Sequence, residues 1–299
     1  MAKFINVASI HAMVSERQDE PPGEALRQFR EAAALLDGTG VDLVVTCEVM
    51  IMQQTPETAE SIAEPGPMLS AYRDFARRNA CTIAGVSLTR EGAKVYQSIV
   101  FYGPAGQYLG CYHKMFPTIA ALKKGISPGR SAVVVDTPAG RLGGILCFDL
   151  NFDELRDEYT RLAPDILCFA SYYHGGHVQA NWAFRTQAFF VGAIKDATSD
   201  ILDPLGRIIS STTYYHRIAW ARINLDRFVM HGDGNAQKYP EIRRKYKDKI
   251  LLDTQAPTGL GVLYSLCDEV SAAEVAREFE LRPAQDFFAA ARAARQAKL

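Results

Sequence analysis

The sequence predicts a protein of the α/β class. Short apolar runs typical of strands alternate with amphipathic segments typical of helices, which is the order that a layered α/β fold requires. Hydrophobic residues make up 48% of the 299 residues, enough for a sizeable core. That length suits one large α/β domain, although length alone also allows two. Because the chain shows no internal repeat and no long linker, we predict a single domain over residues 1–299.

The predicted strands are short apolar runs bounded by turn residues. Two turns, Gly103-Pro-Ala-Gly106 and Thr137-Pro-Ala-Gly140, each separate a pair of these runs and predict hairpins. In chain order the predicted strands are Phe4–Ser9, Val41–Glu48, Cys81–Leu88, Lys94–Tyr102, Tyr108–Lys114, Ala132–Asp136, Leu142–Cys147, Asp165–Ala170, Ile194–Leu202, Ile208–Thr212 and Ile218–Asn224.

The predicted helices show an apolar face or a recognisable start signal. Asn151 is a candidate N-cap with Glu154 three residues later, and Ser271 with Glu274 forms a capping box. Pro283 suits the first turn of a last helix, so residues 266–299 are predicted to form a helical tail. Residues 226–249 are charged and lack a clear alternation. The predicted helices before the tail are Gly23–Leu36, Met68–Asn79, Asn151–Leu162 and Val178–Phe190.

Composition argues against several kinds of partner. Lys and Arg number 33 against 34 Asp and Glu, for a net charge of −1, so nothing favours nucleic acid or an anionic membrane. No apolar stretch approaches the ~20 residues that span a bilayer. The N-terminus lacks a signal-peptide pattern and reads as a strand. Six cysteines, none in a C-x-x-C pair, predict free thiols in a reducing, cytoplasmic setting.

Cys147 is the most informative residue. It ends the apolar run 143–147 and precedes residues 148–155, which predicts a strand, a sharp turn and a helix. We expect the N–H groups and dipole of the helix start to lower the pKa of the thiol and favour the attacking thiolate. Strand-to-helix turns also present the nucleophiles of α/β hydrolases. Since a lone cysteine in a core is more often a packing residue, the other strand ends decide between these interpretations.

Two other strand ends carry charged side chains. The run from Val41 stops at Glu48, and the run from Tyr108 stops at Lys114. A buried, unpaired charge is costly, so each side chain needs a partner. If the strands are parallel neighbours of the Cys147 strand, all three side chains meet at one sheet edge, where α/β folds bind ligands.

These segments together resemble the nitrilase (carbon–nitrogen hydrolase) superfamily. The matching pieces are Leu43–Glu48, His113–Thr118 and Gly144–Asp149, with later similarity at 203–207 and 218–224. The resemblance covers nearly the whole chain up to about Asn224. It implies a single carbon–nitrogen hydrolase domain folded as a four-layer α-β-β-α sandwich. It also implies a homodimer or larger homo-oligomer that assembles through helical faces and the tail at 266–299.

The resemblance assigns roles to the matched residues. Cys147 would attack a carbonyl carbon and form a thioester, with Glu48 as general base. Lys114 would stabilise the oxyanion, aided by the backbone N–H of Phe148. The Phe148-Asp149 pair is more similar to the amidase and N-carbamoyl branches than to nitrile hydrolases, which usually carry Trp-Glu there. The expected substrates are therefore small amides or ureido compounds, cleaved at a non-peptide C–N bond without a cofactor.

Further residues fall where the family builds its pocket wall. These are Tyr172, Tyr173 and His174, to which Trp182 and Arg185 are candidate additions. Trp182 could equally pack in the core, and Arg185 could belong to an interface ion pair instead of binding a substrate carboxylate.

The chain departs from the family in the loop after the lysine. Many members carry a second glutamate there, but residues 118–129 contain no acid, and Ala121 or Leu122 occupies the matching position. This departure keeps open a binding or regulatory protein with weakened chemistry. A nitrile hydrolase is the other alternative to the amidase.

Other site motifs are incomplete. His174 and His177 lack further ligands at a known spacing, so no metal site is expected. Gly259 and Gly261 lack the third glycine and the strand-to-helix context of a dinucleotide loop.

Overall fold

The computed structural model describes residues 2–11, 23–195, 198–254 and 256–299. These residues divide into a larger unit, Ile5–Arg222, and a smaller unit that joins residues 2–4 to Ile223–Leu299. No helix in the described ranges is long and apolar enough to cross a membrane. The single domain, and an assembly role for the tail at 266–299, remain predictions.

The strands, in chain order, are β1 (Phe4–Ile10), β2 (Leu43–Thr46), β3 (Glu60–Ser61), β4 (Thr82–Glu91), β5 (Lys94–Tyr102), β6 (Tyr108–His113), β7 (Val134–Thr137), β8 (Gly140–Leu146), β9 (Ile166–Ser171), β10 (Phe189–Ile194), β11 (Asp200–Leu202), β12 (Ile208–Ser211), β13 (Ile218–Asn224), β14 (Arg227–His231), β15 (Ile250–Asp253) and β16 (Leu260–Ser265). The α-helices are α1 (Glu24–Ala34), α2 (Pro67–Asn79), α3 (Ile119–Lys123), α4 (Asp153–Leu162), α5 (His177–Thr186), α6 (Tyr239–Tyr246), α7 (Ala272–Glu278) and α8 (Ala284–Gln296).

Two sheets form the core of the larger unit. The first has the order β13-β1-β2-β4-β5-β6, with β3 also paired to β4, and the second has the order β12-β11-β10-β9-β8-β7. β2 runs parallel to β1 and β4, and β9 runs parallel to β8 and β10. All residues of β2, β9 and β10 are buried, which explains why their sequences are continuous apolar runs instead of alternating ones.

Aromatic rings packed on glycines bring the layers together. Tyr112 of β6 lies so close to Gly144 of β8 that a Cβ on the glycine would be 2.8 Å from the tyrosine Cβ, so the two sheets pack face to face. Tyr72 of α2 covers Gly85 of β4 in the same way, and Tyr159 of α4 covers Gly143. Helices therefore cover the outer face of each sheet, which is the predicted four-layer α-β-β-α sandwich.

Several predicted element boundaries are wrong. The strand predicted over Ile194–Leu202 is not one strand, because β10 ends at Ile194 and β11, its antiparallel partner, begins at Asp200. β2 ends at Thr46, and Glu48 begins a short 3₁₀ turn instead of ending the strand. The helix predicted from Asn151 begins at Asp153, because Cys147–Asn151 forms a 3₁₀ turn of its own. The helix predicted to reach Phe190 ends at Thr186, since Gln187 takes a left-handed conformation (φ 56°) and β10 starts at Phe189.

The smaller unit has its own sheet, with the antiparallel order β14-β16-β15. The charged stretch 226–249 contains β14 and α6, which the sequence pattern did not reveal. Ser271 caps α7 as predicted: its hydroxyl accepts from the Glu274 N–H at 3.1 Å, and the Glu274 carboxylate accepts from the Ser271 N–H at 2.7 Å. A core of buried side chains joins the sheet to the helices: Met230, Tyr239, Ile242, Ile250, Leu252, Leu263, Ala272, Val275, Ala276 and Leu281.

Candidate active site

The three charged or nucleophilic strand-end residues come from both sheets. Glu48 follows β2 and Lys114 follows β6 in the first sheet, while Cys147 follows β8 in the second. β6 is antiparallel to β5, which is antiparallel to β4, so β2 and β6 end at the same edge. The expectation of neighbouring strands is wrong, since β4 and β5 separate β2 from β6. The packing of one sheet on the other brings the thiol to the two charged groups.

Glu48 and Lys114 form a buried ion pair. The Lys114 Nζ donates to Glu48 Oε1 at 2.8 Å, and the side chains are 1% and 8% exposed. The backbone N–H of Tyr172 donates to the other carboxylate oxygen, Oε2, at 3.1 Å. Burial opposes the charge of Lys114, but the Glu48 carboxylate and nearby groups outweigh it and raise the pKa of the ammonium. Lys114 is therefore a fixed positive charge in a water-poor site.

Cys147 has a left-handed backbone conformation, with φ 51°. This conformation is unfavourable for a residue with a side chain and occurs preferentially at functional turns that the surroundings hold in place. The thiol is half-buried and faces the same cavity as the ion pair. The turn thus presents the sulfur to Glu48 and Lys114.

The expectation of a lowered thiol pKa is wrong. Burial raises the pKa of the Cys147 thiol to about 11, and the negative charge of Glu48 adds to the rise, while Lys114 opposes it. The helix dipole expected to favour the thiolate is weak here, because Cys147 begins a five-residue 3₁₀ turn and α4 starts only at Asp153. Cys147 is therefore a thiol at neutral pH, and Glu48 lies within reach to take its proton.

This raised pKa predicts how Cys147 reacts with iodoacetamide. Below the pKa the thiolate fraction grows about tenfold per pH unit, so alkylation of Cys147 should still accelerate between pH 8 and 10. Glu48→Gln removes the negative charge that raises the pKa, and should speed labelling at pH 8. Peptide mass spectrometry over time gives both rates. A Cys147 labelling rate that levels off near neutral pH would contradict the assignment.

Asp149 connects the ends of the two sheets by hydrogen bonds. Its Oδ2 accepts from the Tyr112 hydroxyl at 2.7 Å and from the Leu146 N–H at 3.1 Å, and its Oδ1 accepts from the Phe116 N–H at 2.7 Å. The carboxyl group is fully buried, and burial raises its pKa to about 6. Asp149 thus ties the residue before Cys147 to a residue just after Lys114. Sequence reasoning used it only as part of the cysteine motif, although an acid at the end of an apolar run was a signal.

One cavity of about 350 Å³ contains all three groups. Its wall combines apolar side chains with polar and charged ones, as small-molecule sites do. Besides Glu48, Lys114 and Cys147, its lining residues are Ile51, Met52, Gln54, Pro56, Leu88, Gln97, Thr118, Ala120, Ala121, Lys124, Ile126 and Tyr172.

Of the predicted pocket residues, Tyr172 lines this cavity. Its hydroxyl accepts from the Nζ of Lys195 at 2.7 Å, a contact that the sequence did not suggest because Lys195 follows a different strand. The side chain of Phe148 is 39% exposed, and its ring packs edge-on against Phe152. Its backbone N–H as an oxyanion donor remains a prediction.

The other predicted pocket residues do not line the cavity. The hydroxyl of Tyr173 accepts from the Asn151 side chain at 3.0 Å, and His174 Nε2 lies 3.1 Å from Asp200 Oδ2. Trp182 is a core residue, 1% exposed, whose indole N–H donates to the Leu150 carbonyl at 2.9 Å. Arg185 is exposed on α5. Local hydrogen bonds and burial explain the positions of Tyr173, His174 and Trp182 without a substrate.

The loop that lacks the family's second glutamate also lines the cavity. Thr118 caps α3 by accepting from the Ala121 N–H at 3.2 Å, and Ala120 and Ala121 face the cavity. Leu122 is 45% exposed and does not line it. Methyl groups thus occupy this part of the wall, including Ala121 at the position matched to the family's second glutamate. Within the described residues Glu48 is the carboxylate hydrogen-bonded to Lys114.

Comparisons with known proteins identify the family of this chain. The sequence profile of the carbon–nitrogen hydrolase family matches residues 6–229. Omega-amidase NIT2 of Danio rerio is 24% identical over 253 residues, 75% of this chain and 90% of the relative. Nitrilase 1 of Arabidopsis thaliana is 34% identical over 94 residues, 30% of this chain. The chain spans 27% of that nitrilase and 31% of the rice NIT4 nitrilase.

Solved structures show the same fold. Nit3 of Saccharomyces cerevisiae, described as a member of branch 10 of the nitrilase superfamily, has a TM-score of 0.63 at 16% identity, covering 82% of this chain and 94% of that one. A variant of the Nesterenkonia sp. AN1 amidase, with acrylamide added at its active-site cysteine, has a TM-score of 0.62 at 16% identity, covering 81% and 99%. With the family profile spanning most of both sheets, the chain belongs to the carbon–nitrogen hydrolase family.

Proposed function

We propose that this protein is a cofactor-free amidase that cleaves a non-peptide C–N bond in small amides or N-carbamoyl compounds through a thioester on Cys147. The observation that carries the proposal is the shared cavity, in which the thiol faces a buried carboxylate and a buried ammonium that lie 2.8 Å apart. Acyl transfer needs those three groups: a nucleophile, a proton carrier and a positive charge for the oxyanion.

In the first half-reaction Glu48 accepts the thiol proton as the sulfur of Cys147 attacks the carbonyl carbon. The oxyanion forms next to Lys114, with the N–H of Phe148 as second donor. Collapse of this intermediate breaks the C–N bond, and Glu48 returns the proton to the leaving nitrogen. Because the pKa of the resting thiol is raised to about 11, proton transfer to Glu48 accompanies the attack instead of preceding it.

In the second half-reaction Glu48 accepts a proton from water, and the resulting hydroxide attacks the thioester. The carbon–sulfur bond breaks, the acid leaves, and the proton on Glu48 returns to the sulfur. Glu48 thus serves both steps. The hydrogen bonds that its carboxylate accepts from Lys114 and from the Tyr172 N–H keep Glu48 in one position during both steps.

The amidase proposal is tested by mass spectrometry and ammonia release. The protein is incubated with small amides, N-carbamoyl amino acids and nitriles, and the peptide containing Cys147 is examined for an acyl adduct. We expect an adduct and ammonia with members of the first two classes. Ammonia from nitriles alone would make it a nitrile hydrolase. No adduct and no ammonia from any class would favour a binding protein, which the methyl groups of Ala120 and Ala121 in the wall of the Lys114 cavity already suggest as the second candidate.

The base role of Glu48 predicts the behaviour of Glu48→Gln. The amide oxygen can still accept from Lys114, but the side chain can no longer carry a proton. Loss of general acid–base catalysis typically lowers kcat by about 10²–10⁴-fold. Steady-state kinetics on the best substrate measures the change. The exposed Glu64→Gln serves as the matched control, and a Glu48→Gln enzyme with near-normal kcat would rule out this role.

A further inference from the structure

A second group of reactive side chains lies outside the active site, on the first sheet. We call Glu91, Cys111 and His113 the β4–β6 cluster. Their donor atoms all lie within 4.8 Å of one another. Cys111 and His113 alternate along β6 with Tyr112, which faces the second sheet, so the two side chains emerge on the opposite, outer face. The proposed reaction does not use any member of this cluster.

Two buried hydroxyl groups on the Nδ1 side of the ring orient the imidazole of His113. Its Nδ1 lies 2.8 Å from the Ser98 hydroxyl, which in turn lies 2.6 Å from the Thr89 hydroxyl. Both hydroxyl residues are fully buried, and the Tyr96 ring stacks on the imidazole at 4.0 Å. In the tautomer whose Nδ1 donates to the Ser98 hydroxyl, the lone pair on Nε2 points at the cluster. Metal-binding histidines are oriented in this way by a partner on the other ring nitrogen.

The spacing of the donor atoms fits a tetrahedral zinc ion. Ordinary Zn–S, Zn–N and Zn–O bond lengths place neighbouring ligand atoms about 3.4–3.6 Å apart. Here Cys111 Sγ lies 3.7 Å from His113 Nε2, and that nitrogen lies 3.1 Å from Glu91 Oε1. The Glu91 side chain is 51% exposed, so it can rotate to bring its oxygen closer to the sulfur.

We propose that Glu91, Cys111 and His113 bind Zn²⁺. The set of thiolate, imidazole and carboxylate suits zinc better than the oxygen-seeking Mg²⁺ or Ca²⁺. Binding replaces the thiol proton of Cys111, which passes to solvent, and leaves the fourth position for water. The ion links the end of β4 to β6 one residue before Lys114, so it stabilises the strand end that carries the lysine.

The experiment uses the full chain with Cys147→Ala, so that the active-site thiol cannot contribute. After removal of metal with a chelator, Zn²⁺ is titrated against a chromophoric competitor, and Co²⁺ is added separately. We expect a single equivalent of Zn²⁺ per chain and, with Co²⁺, the thiolate charge-transfer band of a cysteine ligand. Absence of stoichiometric binding would leave only a His113–Glu91 contact and overturn the proposal.

Variants then separate ligands from bystanders. Cys111→Ser should lose the charge-transfer band and weaken Zn²⁺ binding by more than about 100-fold, while Ser98→Ala, which releases the imidazole, should weaken it by about 10–100-fold. Glu91→Gln changes an exposed side chain and should not unfold the protein. Weaker Zn²⁺ binding by this variant therefore reports the loss of a ligand. Cys267→Ser, a half-buried cysteine of the smaller unit, is the control. Equal binding by Cys111→Ser and Cys267→Ser would overturn the proposal.

Discussion

Cys147→Ala is expected to abolish turnover and the acyl adduct together. Alanine keeps the backbone of the turn but removes the sulfur that forms the covalent intermediate. Loss of the nucleophile in a comparable hydrolase lowers kcat by about 10⁶-fold, so we expect at least about 10⁴-fold here. Ammonia release on the best substrate of the panel measures the rate, and mass spectrometry of the intact chain detects any adduct.

The matched control for this substitution is Cys267→Ala, which removes another half-buried thiol. That variant should keep full activity and form the same adduct as the parent chain. Substrate binding by Cys147→Ala, followed by calorimetry, then separates loss of chemistry from loss of the pocket. Full turnover by Cys147→Ala on any substrate that the parent uses would end the thioester mechanism.

Asp149→Ala is expected to lower both stability and activity. It leaves the Tyr112 hydroxyl and the N–H groups of Leu146 and Phe116 buried without their acceptor. Each unsatisfied buried donor costs about 1–3 kcal/mol, so the free energy of unfolding should fall by roughly 3 kcal/mol or more. kcat should fall as well, because the segments that carry Cys147 and Lys114 lose their common anchor. Urea denaturation and steady-state kinetics measure the two effects.

The pH dependence distinguishes this role from ordinary packing. Folding raises the pKa of Asp149 from 3.8 to about 6, so the folded protein binds this proton more tightly than the unfolded chain. This tighter proton binding adds to the free energy of unfolding below about pH 4, and the added stability is lost as pH rises through about 6. The free energy of unfolding of the wild type, minus that of Asp149→Asn, should therefore be larger at pH 4.5 than at pH 7.5. Asp136→Asn, at an 88% exposed carboxylate, should show no such change. A difference that does not vary with pH would contradict the buried carboxyl assignment.

Sequence reasoning found the parts of this protein that depend on short stretches of chain. Apolar runs ending in Glu48, Lys114 and Cys147 were visible because the hydrophobic pattern of a buried strand is local. The capping box at Ser271 was visible because it needs only the four residues 271–274. The fold followed from the resemblance, which those same local motifs carried. Boundaries failed at Asn151 and Phe190, where a 3₁₀ turn and a left-handed residue overrode the pattern.

By itself, then, the sequence determined which side chains stand at the strand ends and which layered class of fold they belong to. The tertiary structure alone decided that the thiol comes from the opposite sheet, that its pKa is raised, and that Trp182 packs in the core. It also revealed Asp149 as the common anchor and the zinc-compatible spacing of the β4–β6 cluster. The physical reason is that desolvation, Coulomb interactions and hydrogen bonds act through space, between atoms whose residues are far apart along the chain.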